Sequence, residues 1–367
     1  MIMKKQIHSS SLKQELSERE KRHSALARRA AAEGIVLLKN EGMLPLKTSD
    51  SIALFGSGAG KTVKGGIGSG DVNNRNSISV YRGIKEAGAV VTNEDWIQDY
   101  DKRYKEAREE WKEKILEDVR HVQNPFDAYA ANPFSLPDGR RIQETDLKGA
   151  AAAVYVISRI SGEGKDRRIE KGDYYLSSRE REDILYLDRF HIPLILILNS
   201  GGPVELTDIL QETENIRAVL NISQPGQEGG HAVADILFGR AVPEGKLTAT
   251  WARQYEDYPF SDTYSYLNGD LEKEEYREGI YVGYRYFDSF GVKPLFSFGY
   301  GLSYTSFGLA FRVLQTEKSS VQARVAVTNT GQSYAGREVV QVYVSFPQGR
   351  IEKESRRLAG FAKTDRL

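Results

Sequence analysis

Four short apolar runs punctuate the first two thirds of the chain: Ser51-Ile-Ala-Leu-Phe-Gly56, Ala151 to Ile157, Pro193 to Leu198 and Ala218 to Asn221. None alternates with period two. A strand covered on both faces reads this way, because neither side-chain direction meets water. Helical patterns lie between the runs. Ser177-Ser178-Arg179-Glu180 matches a capping box, with Ser177 at the N-cap and Glu180 at the third helical position. Ile184, Leu185 and Leu187 follow as its buried stripe, and Gly229 to Leu237 reads as a second such helix. Ser17 to about Val36 is dense in Glu, Lys, Arg and Ala and free of Gly and Pro until Gly34, which also predicts a helix. Asp99 to Arg120 is highly charged and predicts a solvated helix. Strands alternating with helices imply an α/β fold, a largely parallel sheet covered by helices.

After about Leu302 the period changes. Phe307, Leu309, Phe311 and Val313 alternate with other residues, and so do Val321, Ala323, Val325 and Val327. Asn329-Thr330-Gly331 is a turn, after which Val340, Val342, Val344 and Phe346 alternate again. This predicts an antiparallel sheet with one buried face. A β-sandwich takes about seven strands; room remains before Leu367 for roughly half of them. An incomplete all-β sandwich is therefore expected, with an apolar face and strand edges left open.

A length of 367 residues suggests about two domains, and 40% apolar residues allow each a core. Charge balances at 51 basic against 51 acidic side chains, so nucleic acid and anionic membrane are not expected as partners. The apolar run Ile192 to Leu198 falls far short of a bilayer span. The N-terminal MIMKKQIHSSSLKQ carries lysines with no apolar stretch after them, so no secretory signal is expected and the cytoplasm is the expected compartment. Cysteine is absent, which excludes disulfides, thiolate metal sites and cysteine nucleophiles. The histidines His8, His23, His121, His191 and His231 are scattered, none at metal-ligand spacing to another, and no metal site is expected.

In sheets of this kind, ligands bind at the loops leaving the carboxyl ends of the strands. Phe55-Gly-Ser-Gly-Ala-Gly-Lys-Thr62 approaches a phosphate-binding loop, but Phe55 stands where the first glycine is required. The competing reading is a strand-to-helix turn. Lys64-Gly-Gly-Ile-Gly-Ser-Gly-Asp-Val72 allows close backbone approach to a ligand, with Lys64, Ser69 and Asp71 suited to sugar hydroxyls; the alternative is a mobile surface loop. Ser158-Arg-Ile-Ser-Gly-Glu-Gly-Lys-Asp-Arg167 follows the run ending at Ile157. Its Glu163, between two glycines, can project into a cleft and protonate a leaving oxygen if its pKa is raised. Asp166 and Arg167 can hold the loop as an ion pair. The alternative is an exposed loop glutamate. Gly279 to Phe287 and Pro294 to Tyr304 are rich in aromatics, which either stack on sugar rings or, the favoured reading, pack a junction between domains.

Several segments together resemble the second and third domains of family 3 glycoside hydrolases, especially bacterial β-glucosidases. They are Ala31 to Asn40 with Leu44-Pro-Leu46, the loops Lys64 to Val72 and Ser158 to Arg167, Lys171-Gly-Asp-Tyr-Tyr-Leu176, Gln224-Pro-Gly-Gln-Glu-Gly229, Pro243-Glu-Gly-Lys-Leu247 and Gly279 to Tyr304. Glu338-Val-Val-Gln-Val-Tyr-Val344 is similar to that family's fibronectin type III-like domain. The resemblance implies an N-terminal extension over 1–24, an α/β sandwich over 25–302 and a partial fibronectin type III-like domain over 303–367. It implies that Glu163 is the general acid/base, in a pocket built mainly by a (β/α)8 barrel that carries the nucleophilic aspartate. It places the loop with Lys64, Ser69 and Asp71 beside that pocket. Lys165 departs from the family, where an aromatic is common. The start of the sandwich near Met1 is expected to reflect a permuted order in which the barrel follows.

The implied activity is retaining hydrolysis of O-glycosidic bonds, most often terminal β-D-glucosides, with no cofactor. The expected partners are a β-glycoside or oligosaccharide substrate, a (β/α)8 barrel domain in cis or in trans, and a possible second copy in a homo-oligomer. The alternative from another class is a non-catalytic carbohydrate-binding or assembly module that keeps the fold.

Overall fold

The computed structural model describes residues 15–367 except 68, 69, 71, 73, 163–166, 271, 318 and 319, and the backbone alone of 266 and 268. The first helix, α1 (Glu18–Gly34), opens on a capping box: the Ser17 hydroxyl accepts from the Glu20 amide at 3.2 Å, and the Glu20 carboxylate accepts from the Ser17 amide at 2.8 Å. It runs unbroken through residue 25. It stops at Gly34 rather than Val36, because Ile35, Leu37 and Leu38 go into the core as β1 (Val36–Asn40) begins.

The apolar runs then appear as strands in turn. β2 (Ile52–Phe55) leads into the single turn α2 (Ser57–Gly60), followed by α3 (Val80–Glu86), α4 (Glu94–Asp118) and α5 (Pro125–Ala131). β3 (Ala152–Ser158), α6 (Ser178–Asp188), β4 (Leu194–Asn199), α7 (Thr207–Glu212), β5 (Ile216–Asn221) and α8 (Gly229–Leu237) complete the alternation. The sheet order is β1-β5-β4-β3-β2. β2, β3, β4 and β5 are parallel neighbours in succession, and β1 closes one edge antiparallel to β5 with Leu37 opposite Leu220. β2, β3 and β4 are buried along their whole length, as their unalternating sequences require.

Each helix earns its place by one face. α6 starts at the expected capping box, and its Ile184 and Leu187 are fully buried while Leu185 is half-buried. Full burial of such a side chain stabilises by roughly 1.5–3 kcal/mol. α4 begins at Glu94, ahead of the expected Asp99, because Trp96, Ile97 and Tyr100 supply a short buried stripe before the charged stretch. Trp96 stacks on Tyr100 with ring centroids 5.7 Å apart and meets Phe55 edge-on at 5.5 Å. α3 and α8 cross at glycines. The Gly230 amide donates to the Ile78 carbonyl at 2.9 Å, and a β-carbon at Gly230 would stand 2.7 Å from that same oxygen and nearer still to that of Ser79.

Beyond α9 (Tyr284–Phe290) lie two antiparallel pairs, β6 (Phe307–Thr316) with β7 (Val321–Asn329) and β8 (Val339–Val344) with β9 (Arg357–Lys363). The alternation is present, and the apolar face it defines is left open, as expected of an incomplete sandwich: Leu309 and Phe311 remain 59% and 62% exposed. Two-stranded pairs do not make a second layer deep enough to cover their own apolar sides. The aromatic segment packs the junction. The Tyr284 ring meets Tyr343 edge-on at 5.6 Å and its hydroxyl accepts from the Leu358 amide at 2.8 Å; the Tyr304 hydroxyl donates to the Ile236 carbonyl at 2.8 Å. Among the described residues, no helix is long and apolar enough to cross a membrane.

Candidate active site

The loops that leave the carboxyl ends of β2, β3, β4 and β5 share one anchor, Asn199. It is fully buried at the end of β4. Its carboxamide oxygen accepts from the Val63 amide at 2.7 Å and the Ser158 hydroxyl at 2.8 Å. Its nitrogen donates to the carbonyls of Val63 at 2.9 Å and Ser223 at 2.7 Å. A carboxamide offers two donors and two acceptor sites, and all are used.

Two sequence-predicted loops meet above this anchor. Ile67 and Gly162 form a parallel bridge, with the Ile67 amide donating to the Ser161 carbonyl at 2.9 Å. A side chain at Gly162 would crowd Ile67, whose Cγ1 would lie 2.8 Å from an added β-carbon. The segment after β5 joins them: Gln224 donates to the Ser161 hydroxyl at 2.8 Å, and the Gly226 amide to the Lys64 carbonyl at 2.8 Å.

Two arginines, Arg159 buried and Arg167 half-buried, brace the ends of the β3 loop. Arg159, 5% exposed, makes a bidentate pair with Glu180 at 2.6 and 2.7 Å, and Glu180 also closes the capping box of α6. Arg167 pairs with Asp173 at 2.6 Å and donates to the Pro203 carbonyl at 2.6 Å. Thus the cation expected to hold the loop is engaged, with Asp173 as a partner that the sequence reading did not name.

A cavity of about 330 Å³ opens beside the loop, with walls that include Trp96, Phe134, Tyr155, Arg159, Gly162 and Arg179. Burial pushes the Asp138 carboxyl on its wall up from the ordinary range, against the pull of Arg179. Behind the wall, burial pushes Asp183 up to about 7, although the Tyr155 hydroxyl donates to it at 3.2 Å and favours its charged form.

The residues predicted for chemistry divide into two groups. Glu163, Ser69, Asp71 and Asp166 lie outside the described residues, as does Lys165. Lys64 is described, and its ammonium donates to the Val72 carbonyl of its own loop at 2.5 Å. The Gly-rich turn after β2 is a packing turn. A β-carbon at Gly56 would meet the Val156 backbone, and Lys61 pairs with Asp101 and lies 5.0 Å from the Tyr104 ring centroid. Its lysine is thus turned towards α4, as the strand-to-helix reading requires. Among the described residues, no group of His, Cys, Asp and Glu is arranged to hold a metal ion.

Sequence reasoning missed Asn199, and Gln224 entered only as part of a motif. Their signal is a polar residue directly after an apolar run, Asn199 after Leu198 and Gln224 shortly after Asn221. At the carboxyl end of a parallel strand that is where a loop is tied down.

Residues 35–304 match the model of the glycosyl hydrolase family 3 C-terminal domain. β-Glucosidase A of Butyrivibrio fibrisolvens is 35% identical over 94% of this chain, and thermostable β-glucosidase B of Acetivibrio thermocellus 33% identical over 93%. The chain spans 44% and 41% of those two proteins. Among solved structures, β-glucosidase 3B of Thermotoga neapolitana superposes with a TM-score of 0.80 at 39% identity, covering 95% of this chain and 47% of its own. A β-glucosidase from Paenibacillus barengoltzii superposes with a TM-score of 0.78 at 34% identity, covering 94% of this chain and 37% of its own.

Proposed function

The chain belongs to the glycosyl hydrolase family 3 C-terminal domain family, and from that premise we propose that it supplies the general acid/base of a retaining β-glucosidase. Glu163 is the residue assigned that role. The substrate is a terminal β-D-glucoside, and the nucleophilic carboxylate comes from a barrel segment outside these residues, joined in cis or supplied in trans.

The observation that carries this reading is the Ile67–Gly162 bridge. It unites the two glycine-rich loops at the carboxyl edge of the parallel sheet, where ligands of such sheets bind. Glu163 follows Gly162 directly. The relatives' names and the fraction of their length that the chain spans support the same division of labour.

In a retaining mechanism, one carboxylate attacks the anomeric carbon and the glycosidic bond breaks as a second carboxyl group protonates the leaving oxygen. The second group, now a carboxylate, takes a proton from water as that water displaces the sugar from the nucleophile. The two groups stand about 5 Å apart. Lys64, Ser69 and Asp71 would meet sugar hydroxyls from the neighbouring loop, and Arg167 would hold the acid's loop.

Release of nitrophenol from 4-nitrophenyl β-glucoside tests the division. The chain alone is expected to release none, and the chain with its barrel segment is expected to turn over. Release by the chain alone, abolished by Glu163→Gln, would place both carboxylates within these residues and overturn the division.

A further inference from the structure

We propose that Asp173 is a positioning residue for the loop that carries Glu163. The inference rests on reading Glu163 as the acid/base and deepens it, by naming the group that holds that carboxyl in register.

Four donors converge on Asp173. Its carbonyl accepts from Arg159 Nε at 2.7 Å and from Arg167 Nη2 at 2.6 Å. Its carboxylate accepts from Arg167 Nε at 2.6 Å through one oxygen and from the Arg168 amide at 2.6 Å through the other. Arg159 and Arg167 are the two ends of the loop, so both ends are tied to the same residue. Arg159 is itself fixed by Glu180 at the start of α6. A continuous chain of charge-assisted hydrogen bonds therefore runs from α6 through Glu180, Arg159 and Asp173 to Arg167. Such bonds are short and strong, and the arginine fork adds directional specificity.

Only a carboxylate satisfies this arrangement at the side chain. Both of its oxygens accept, one from a guanidinium and one from a backbone amide. In Asp173→Asn one of the two donors would face an NH2 group and lose its acceptor. The carbonyl contacts and the Arg159–Glu180 pair remain, so the variant keeps the fold, while the far end of the loop loses one of its side-chain anchors and is held less tightly. A general acid acts only when held within hydrogen-bond reach of the leaving oxygen, and small displacements far from the chemistry cost large factors in rate.

The prediction is selective for the leaving group. The glucose expelled from cellobiose is a poor leaving group whose oxygen must be protonated by the acid, whereas dinitrophenolate leaves without protonation. In the enzyme completed by the barrel segment, Asp173→Asn is expected to lower kcat/KM for cellobiose about 100-fold and for 2,4-dinitrophenyl β-glucoside less than about threefold. Arg167→Lys, which keeps the charge but loses the fork, is expected to show the same selectivity more weakly. In the chain by itself, amide exchange over residues 159–168 is expected to quicken about tenfold in Asp173→Asn, with α6 unchanged. Equal losses on both substrates, or unchanged exchange in the loop, would overturn the role of Asp173. Glu163→Gln serves as the control. If it shows no leaving-group selectivity, the assignment of the acid is what has failed; if it does and Asp173→Asn does not, the positioning role alone has failed.

Discussion

The Ser158 hydroxyl donates to the carboxamide oxygen of Asn199 at 2.8 Å, linking the carboxyl ends of β3 and β4 side by side. The same carboxamide holds Val63 and Ser223. One buried side chain thus sets the mutual placement of the loops after β2, β3 and β5. Asn199→Ala removes these hydrogen bonds and leaves buried partners unsatisfied. A stability loss of about 3 kcal/mol or more is expected, read as a fall in the urea midpoint. A loss below about 1 kcal/mol would mean that the loops are tied elsewhere.

The crossing of α3 and α8 has no space for a methyl group at Gly230, since the obstructing atoms are the backbone carbonyls of Ile78 and Ser79. Backbone cannot swing aside as a side-chain tip can. Gly230→Ala is expected to destabilise the chain by about 3 kcal/mol, with a matching drop in melting temperature, even though alanine favours helices. An unchanged melting temperature would show that the crossing can open at little cost.

Asp183 gives a pH signature. Its carboxyl is pushed up to about 7 by burial, from about 3.9 in an unfolded chain. Between those values the folded state holds the extra proton, so stability contributed by this group falls as pH rises from about 4 to about 7. Above that window the accumulated loss is on the order of 4 kcal/mol. Asp183→Asn cannot ionise and can still accept from Tyr155. The variant is expected to match the parent below about pH 4 and to exceed it in melting temperature at pH 8. Parallel curves for the two proteins would refute the buried proton.

The legible parts of this fold are those that depend on local pattern. The four unalternating runs became β2 to β5, and the Ser177–Glu180 box became the start of α6, because burial on both faces and reciprocal capping each leave a mark within a few residues. β1 was not read as a strand, and the expected helix ran into its first residue, Val36. Its pairing with β5 is antiparallel and remote, and helix-favouring composition runs up to Gly34. The alternation after Leu302 and the open apolar face at Leu309 and Phe311 were both legible, since period two names a face and so few strands leave it without a cover. At the site, glycines marked the loops and strand ends marked their location. That Ile67 meets Gly162, or that Asp173 receives Arg159 and Arg167, depends on segments brought together only in the tertiary structure.

The role of Glu163 is tested most directly with Glu163→Gln in the barrel-completed enzyme, using 2,4-dinitrophenyl β-glucoside with and without azide. Dinitrophenolate leaves unaided, so the glycosyl-enzyme still forms. Its hydrolysis then stalls, because no carboxylate remains to deprotonate water, whereas the azide anion needs no base. The account predicts that azide accelerates turnover about tenfold or more and that the product is the β-glucosyl azide, formed by two displacements. Turnover indifferent to azide, with cellobiose hydrolysed as fast as by the unaltered protein, would contradict the assignment of Glu163 as the acid/base.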